Sequence, residues 1–419
     1  RNDQGLSGRR LSRHARDPFL FAVCALGLTQ ITAWGTGYYC LGVLAVPIAA
    51  ETGWSRGFVY SGFTAALLSM GAVSAWAGKA IDRHGAQRLM SAGTVLLSLG
   101  MLLVSLAGSQ ATYLLAWAFL GVAMRFCLYE AAFAGLVQVL PSRGRQAISY
   151  LTLFGAFAST IFWVIGHYVN EAHGWRATLQ AFAAINLAVC LPLNWLGLAR
   201  KESRAMQDRA DAAAASAPEA APLTGRTRTI AMGLFGLVMG LNGFVFGVVS
   251  VQLVPLLESA GIAAAAAVWI ASMKGFSQFG GRVVEIVFGR RLHAMTVARL
   301  AIGALPLSFV VLLAAGGNFA AILAFTLVMG ASQGVITIVR GAVPLALFGK
   351  EGYGLVLGIL ATPVIVMNAT SPMLFAMVVD AGGWRAAHWL LFACALASWI
   401  AIEVMARWYG RRSVRTPPG

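Results

Sequence analysis

Gly78-Lys79-Ala80-Ile81-Asp82-Arg83-His84-Gly85-Ala86-Gln87-Arg88 is a short polar break between two apolar runs, each long enough to cross a bilayer. Gly78 and Gly85 lack the side chain that blocks a sharp turn or a close helix crossing. Asp82 can sit against the N-terminus of a neighbouring helix, and Arg83 can pair with it. The stretch is expected as a tight cytoplasmic loop that latches two helix bundles, with Gly78, Asp82, Arg83, Gly85 and Arg88 as its working residues.

The rest of the composition fits such a loop. Of 419 residues, 59% are hydrophobic and 11% charged, and the mean hydropathy is +0.75, too little polar surface to cover a soluble globule. The chain reads as an integral membrane protein. Cys24, Cys40, Cys127, Cys190 and Cys394 all lie in apolar runs without a Cys-x-x-Cys pair, so neither a disulfide framework nor a zinc site is indicated. The net charge of +16 comes from basic residues in alternate loops rather than on one arm, which is a membrane-orientation pattern and excludes nucleic acid as the partner.

Apolar runs near 19–49, 58–77, 89–107, 111–140, 145–169 and 177–198, and again near 230–257, 263–288, 297–316, 318–347, 352–379 and 386–406, are each about 20 residues or longer, enough to span roughly 30 Å of hydrocarbon. The expected organisation is a cytoplasmic tail over 1–17, a six-helix bundle over 18–198, a charged Ala-rich linker over 199–229, a second bundle over 230–408 and a cytoplasmic tail over 409–419. Arg143, Arg145, the linker, Arg290, Arg291, Lys350 and the tail arginines fall on one side, which places both termini in the cytoplasm and the protein in the inner membrane.

Three echoes relate the halves. His173-Gly174-Trp175-Arg176-Ala177 returns as Gly382-Gly383-Trp384-Arg385-Ala386, 209 residues later; Val46-Pro47 and Gly53 return as Val254-Pro255 and Gly261, 208 apart; Gly78 and Asp82 return as Gly281 and Glu285, 203 apart. Near-equal offsets imply two halves related by a pseudo-two-fold axis, with Gly281, Arg282 and Glu285 as a second latch.

The Gly78 to Arg88 break resembles the loop signature of the major facilitator superfamily of secondary transporters, roughly Gly-x-x-x-Asp-Arg-x-Gly-x-Arg-(Lys/Arg) after the second helix, with Ala86 departing at the first basic position. The resemblance covers Phe19 to Trp408. It implies an all-α membrane protein of twelve transmembrane helices in two pseudo-symmetric six-helix bundles that rock about a midplane site. Glu51-Thr52-Gly53-Trp54-Ser55-Arg56-Gly57 is similar to a segment of bacterial relatives of the monocarboxylate and oxalate–formate carriers, which also place a cation in the eighth helix, matched here by Lys274. The first-helix aromatic and glycine motif of animal monocarboxylate carriers is absent, as is a lysine near Ala361-Thr362-Pro363. The Gly-x-x-x-Gly-Pro-x-x-Gly-Gly signature of drug–proton antiporters is missing from the fifth span. No phosphate-binding Gly-Lys-(Ser/Thr) loop and no His-Glu-x-x-His helix occurs, so the chain is not expected to be an enzyme or to need a cofactor.

Charges inside spans point to the substrate, because each costs about 3 kcal/mol or more against lipid. Arg125 in the fourth span and Lys274 in the eighth are expected to grip a carboxylate from opposite halves. The alternative is a structural role, with Arg125 on Glu130 and Lys274 on a helix carbonyl; on a continuous helix Arg125 and Glu130 point about 140° apart. Tyr38, Tyr129, Asn242, Gln278, Gln333 and Asn368 are further candidate contacts, with Trp34 and Tyr39 as walls. Glu130, the carboxylate deepest in a span, is the expected proton carrier, ahead of His167. The leading expectation is a monomeric, proton-coupled carrier of a small organic anion such as a monocarboxylate. An efflux carrier for hydrophobic compounds is the alternative. A transition-metal carrier using Met232, Met239, Met373 and Met377 is a minor one.

Overall fold

The computed structural model describes residues 18–208 and 222–413; the expected tail over 1–17, linker residues 209–221 and the end from 414 lie outside the described residues. Every regular element in the described residues is helical. In hydrocarbon no water is available to backbone N–H and C=O groups, and a helix satisfies them within the segment. The first half contains α1 (Pro18–Thr52), α2 (Arg56–Ala72 continued by Ser74–His84 at a 53° bend), α3 (Ala86–Ser105) and α4 (Gln110–Val139). A 54-residue helical stretch follows, Gly144–Gly197, which if straight would measure about 80 Å against a core of about 30 Å. Gly174, at φ 79° and ψ 168°, breaks it into α5 (144–173) and α6 (175–197).

The second half repeats the plan with α7 (Gly225–Ser259), α8 (Ala264–Phe288), α9 (Ala294–Ala314) and α10 (Phe319–Phe348). The remaining stretch, Tyr353–Ser413, breaks at Gly383 (φ 70°, ψ 177°) into α11 (353–382) and α12 (384–413). The Gly-Trp-Arg-Ala echo is thus a shared bend in the left-handed region, which glycine enters without a Cβ clash. Gly53 and Gly261 end α1 and α7 in that same region. The described residues therefore make twelve long helices in two bundles, and α7 starts at Gly225, inside the stretch expected as linker.

Apolar packing joins the halves chiefly on one side. On the side of the linker a single core runs through both, with Ile81, Phe133, Val137 and Ile148 against Ile338, Val339, Phe348 and Leu357. On the far side the first half has its own core around Trp117, Phe162 and Trp175, which the other half reaches through Ala361, Ile365 and Ala369 of the stretch that follows Tyr353. The second half has a separate one around Phe309, Phe325 and Phe375. The molecule is closed toward the linker.

Polar contacts fasten the closed side. Both Asp82 oxygens accept backbone N–H groups at the start of α11, from Gly354 at 2.9 Å and Leu355 at 2.8 Å, where the helix dipole favours an anion. Gly78 permits this approach, since a methyl group there would collide with the Gly354 carbonyl. Gln138 of α4 steadies the loop, accepting from Ala86 N at 2.8 Å and donating to the Ile81 carbonyl at 3.2 Å. Arg83 and Arg88 are exposed, and no ion pair joins Arg83 to Asp82, because the two are adjacent on the helix that runs to His84 and their side chains point about 100° apart. In the second half Glu285 lies 3.5 Å from Arg145 of α5, which also donates to the carbonyls of Leu292 and Gly289 at 2.7 and 2.9 Å. The echoing Gly281 packs against the Ala331 carbonyl of α10, inside its own half.

Gly78→Ala is expected to shift the molecule open toward the linker. With Ile336→Cys as reporter in a chain lacking its five native cysteines, labelling by an impermeant thiol reagent from the linker side should rise several-fold. Unchanged labelling would remove Gly78 from the closure.

Candidate functional site

Between the halves lies a cavity of about 490 Å³. Its walls come from α1, α2, α4 and α5 on one side and α7, α8, α10 and α11 on the other. The first wall is aromatic because α1 takes a π turn over Trp34–Tyr38, a widened turn common at functional sites, which sets Trp34 against Tyr38 and Tyr129 at ring-centroid distances of 4.8 and 5.0 Å. Phe246, Phe276 and Phe279 face it from the second half. Tyr38 bridges the halves, its hydroxyl accepting from Asn368 Nδ2 at 2.9 Å.

Toward the linker the wall is cationic. Arg282 of α8 and Arg340 of α10 both line the cavity, and no carboxylate among the described residues does. Arg282 donates through Nη1 to the Thr152 carbonyl of the first half at 2.6 Å and through Nε to Gly334 O at 3.4 Å, leaving Nη2 without a protein partner among the described residues. Arg340 Nη2 reaches across the halves to Glu130 Oε1 in a direct ion pair. The Glu130 side chain is 2% exposed and that of Arg340 21%, so the acid sits behind the cavity wall and the base forms part of it. Arg340 Nε has no partner.

Six expected contacts are in this wall: Tyr38, Tyr129, Asn242, Gln278, Gln333 and Asn368. Arg125 and Lys274 are not. Arg125 is 1% exposed inside the first bundle, where Nε donates to Ser74 Oγ at 2.7 Å beside the α2 bend. The expected geometry assumed a continuous fourth helix, whereas α4 breaks at Leu128, which is extended (φ −84°, ψ −170°), and Gln30 Nε2 takes up the Cys127 carbonyl at 2.8 Å. The break sends Glu130 to the other half and leaves Arg125 in its own. Lys274 is half-buried behind the wall, its Nζ 5.3 Å from the centre of the Phe246 ring. Arg282, expected as latch alone, both crosses the halves and lines the cavity. Arg340 was missed, although it lies inside the tenth apolar run and the rule that singled out Arg125 applies to it equally. His167 is exposed on α5 beside Glu171 at 3.6 Å and does not line the cavity. Met373 and Met377 are 70% and 56% exposed, so the methionines expected as metal ligands do not converge.

Two repeated six-helix bundles that share a polar cavity closed on one side make a secondary transporter, which works by exposing one site to each side in turn. The chain belongs to the Major Facilitator Superfamily, which its sequence matches over residues 26–309. It is a multi-pass membrane transporter and not an enzyme. No curated protein matches the sequence. Solved structures with similar folds include the human organic anion transporter MFSD10 (TM-score 0.72, 14% identity, 92% of this chain and 100% of that one). FucP in the outward conformation is similar too (0.69, 16%, 93% and 99%). So is the proton:xylose symporter XylE bound to 6-bromo-6-deoxy-D-glucose (0.71, 12%, 91% and 94%).

Breaking a buried ion pair by removing one partner typically costs about 3–5 kcal/mol, because the other charge is stranded. Arg340→Gln should therefore lower the thermal unfolding midpoint of the detergent-purified protein clearly. The double variant with Glu130→Gln should recover most of the loss. A double variant no more stable than Arg340→Gln would mean that the pair does not hold the halves.

Proposed function

We propose that the protein is a proton-coupled carrier of a small organic anion, working in the inner membrane with both termini in the cytoplasm. The observation that carries this reading is the charge of the cavity: Arg282 and Arg340 in the wall, with one acid, Glu130, tied to Arg340 from behind. Known proteins of this fold include an organic anion transporter and proton symporters of xylose and fucose, so the fold admits anions and sugars alike. The cationic wall favours the anion. The basic loops on the linker side support a cytoplasmic linker.

Coupling follows from the shared arginine. While Glu130 is ionised it occupies Arg340, and of the two wall arginines Arg282 alone is left without a carboxylate. A proton on Glu130 cancels that attraction and frees Arg340 Nη2 for an incoming carboxylate, so proton and anion bind as a neutral pair and the bundles can rock without moving net charge. With the cavity empty and Glu130 ionised, the cross-half pair re-forms and holds the linker side closed. Guanidinium suits the task, because its planar fork matches a carboxylate in a way that an ammonium cannot.

Carboxylate affinity of the purified protein is therefore expected to rise as pH falls, since protonation of Glu130 makes Arg340 available. Glu130→Gln, permanently neutral there, should bind anions with little pH dependence and, in proteoliposomes, exchange them across the membrane without accumulating them on a pH gradient. Arg340→Gln should weaken carboxylate binding by roughly tenfold or more, from loss of a charge-assisted hydrogen bond worth about 1.5–3 kcal/mol. Affinity that is indifferent to pH in the parent, or equal in parent and Arg340→Gln, would defeat the mechanism. Arg125→Gln is the companion control: its guanidinium faces Ser74, so protein that folds should keep the parent's anion affinity.

A further inference from the structure

The cavity is much larger than its charged end requires. Arg282 and Arg340 lie toward the linker, while the space beyond them is bounded by rings: Trp34 and Tyr129 on one wall, Phe246, Phe276 and Phe279 on the other. Phe157 of α5 closes toward Phe279 of α8 across the two halves, with ring centroids 5.3 Å apart. About 490 Å³ falls in the range of pockets that enclose a drug-sized ligand, roughly 300–1,000 Å³. A two- or three-carbon acid would bind the arginines and leave most of the aromatic surface facing water.

A second feature sits at a fixed distance from the charge. Gln333 lines the cavity at 5% exposure, and among the described residues neither its Nε2 nor its Oε1 has a partner; Trp34 Nε1, on the opposite wall, has none there either. A buried amide left wholly unpaired is costly, and its two atoms offer one donor and one acceptor. Gln333 and Arg340 are seven residues apart on α10, two turns along the same face, or about 10 Å of rise. Ile336 and Thr337 line the wall between them.

We infer that the substrate is a planar, ring-bearing monocarboxylate. Its carboxylate meets Arg340 and Arg282, its ring lies between the Trp34/Tyr129 and Phe246/Phe279 walls, and a hydroxyl or N–H on the far end of the ring meets the Gln333 amide. This rests on the anion reading above and narrows it, since the length from Arg340 to Gln333 selects molecules whose polar ends are separated by a ring. Aromatic surfaces favour an offset-stacked or edge-on ring over an aliphatic chain of the same length.

The test is titration of the full chain in detergent, at one acidic pH, with acetate, pyruvate, phenylacetate, 4-hydroxyphenylacetate and indole-3-acetate, and with benzyl alcohol and benzylamine as rings without a carboxylate. The ring-bearing acids are expected to bind roughly a hundredfold more tightly than pyruvate, from burial of the ring face. 4-Hydroxyphenylacetate should bind more tightly than phenylacetate, a preference lost in Gln333→Leu. Phe279→Leu should weaken the ring-bearing acids by a clearly larger factor than it weakens pyruvate. Pyruvate or acetate binding as tightly as the ring-bearing acids would overturn this inference and leave the anion reading standing. Benzylamine or benzyl alcohol binding as tightly as phenylacetate, or no carboxylate binding at all, would overturn both.

Discussion

A carboxylate that leaves water for the inside of a membrane protein is held best by a cation, and Glu130 finds its cation in the other half of the molecule. Glu130 comes from the first bundle and Arg340 from the second, and neither has a substitute partner in its own half that the structure shows engaged. That single requirement ties several otherwise separate features together. The break at Leu128 turns Glu130 toward the other half, the continuous core around Phe133 and Val339 keeps water from Glu130, and the Asp82 contact with α11 fastens the halves on the same side of the cavity.

A transporter of this kind must be stable when closed and still able to open, and the balance shows in the materials used on each side. Toward the linker the halves share large apolar side chains and backbone-to-carboxylate hydrogen bonds. Toward the far side they keep separate cores and meet through aromatic rings and one Tyr38–Asn368 hydrogen bond. Apolar contact between lipid-bathed helices gains little from the hydrophobic effect, so close backbone approach decides where they adhere. Gly354 and Gly358 of α11 face Gly78 and Ser74 of α2 for that reason.

Much of this was legible in the chain, because bilayer thickness and repeated offsets constrain helix number and pairing without reference to any side-chain contact. The Gly174 and Gly383 bends were visible as a repeated motif, and Asp82 could be placed against a helix start from its loop alone. What the sequence concealed were departures from ideal helix geometry. At a constant 100° per residue Arg125 and Glu130 would diverge by about 140°, but the extended residue Leu128 lies between them and resets the direction of the side chains that follow. The π turn at Trp34 likewise leaves no periodic signature, since Gly35 and Gly37 suit an ordinary close-packed helix as well. Arg340 was concealed by nothing physical: it is a charge in an apolar run, and it shows that such charges have to be weighed together before any pair is chosen.

The two latches that echo one another in sequence are unequal in chemistry. Asp82 has both oxygens held by fixed amides at a helix start, whereas Glu285 has one oxygen 3.5 Å from a half-exposed arginine and the other, Oε2, with no partner. The α5–α8 seam is held instead by arginines from both halves donating to backbone carbonyls, Arg145 to Leu292 and Gly289 and Arg282 to Thr152. The two seams therefore answer to opposite charges: loss of the anion at position 82 would slacken the first alone, and loss of a cation at 145 or 282 the second alone.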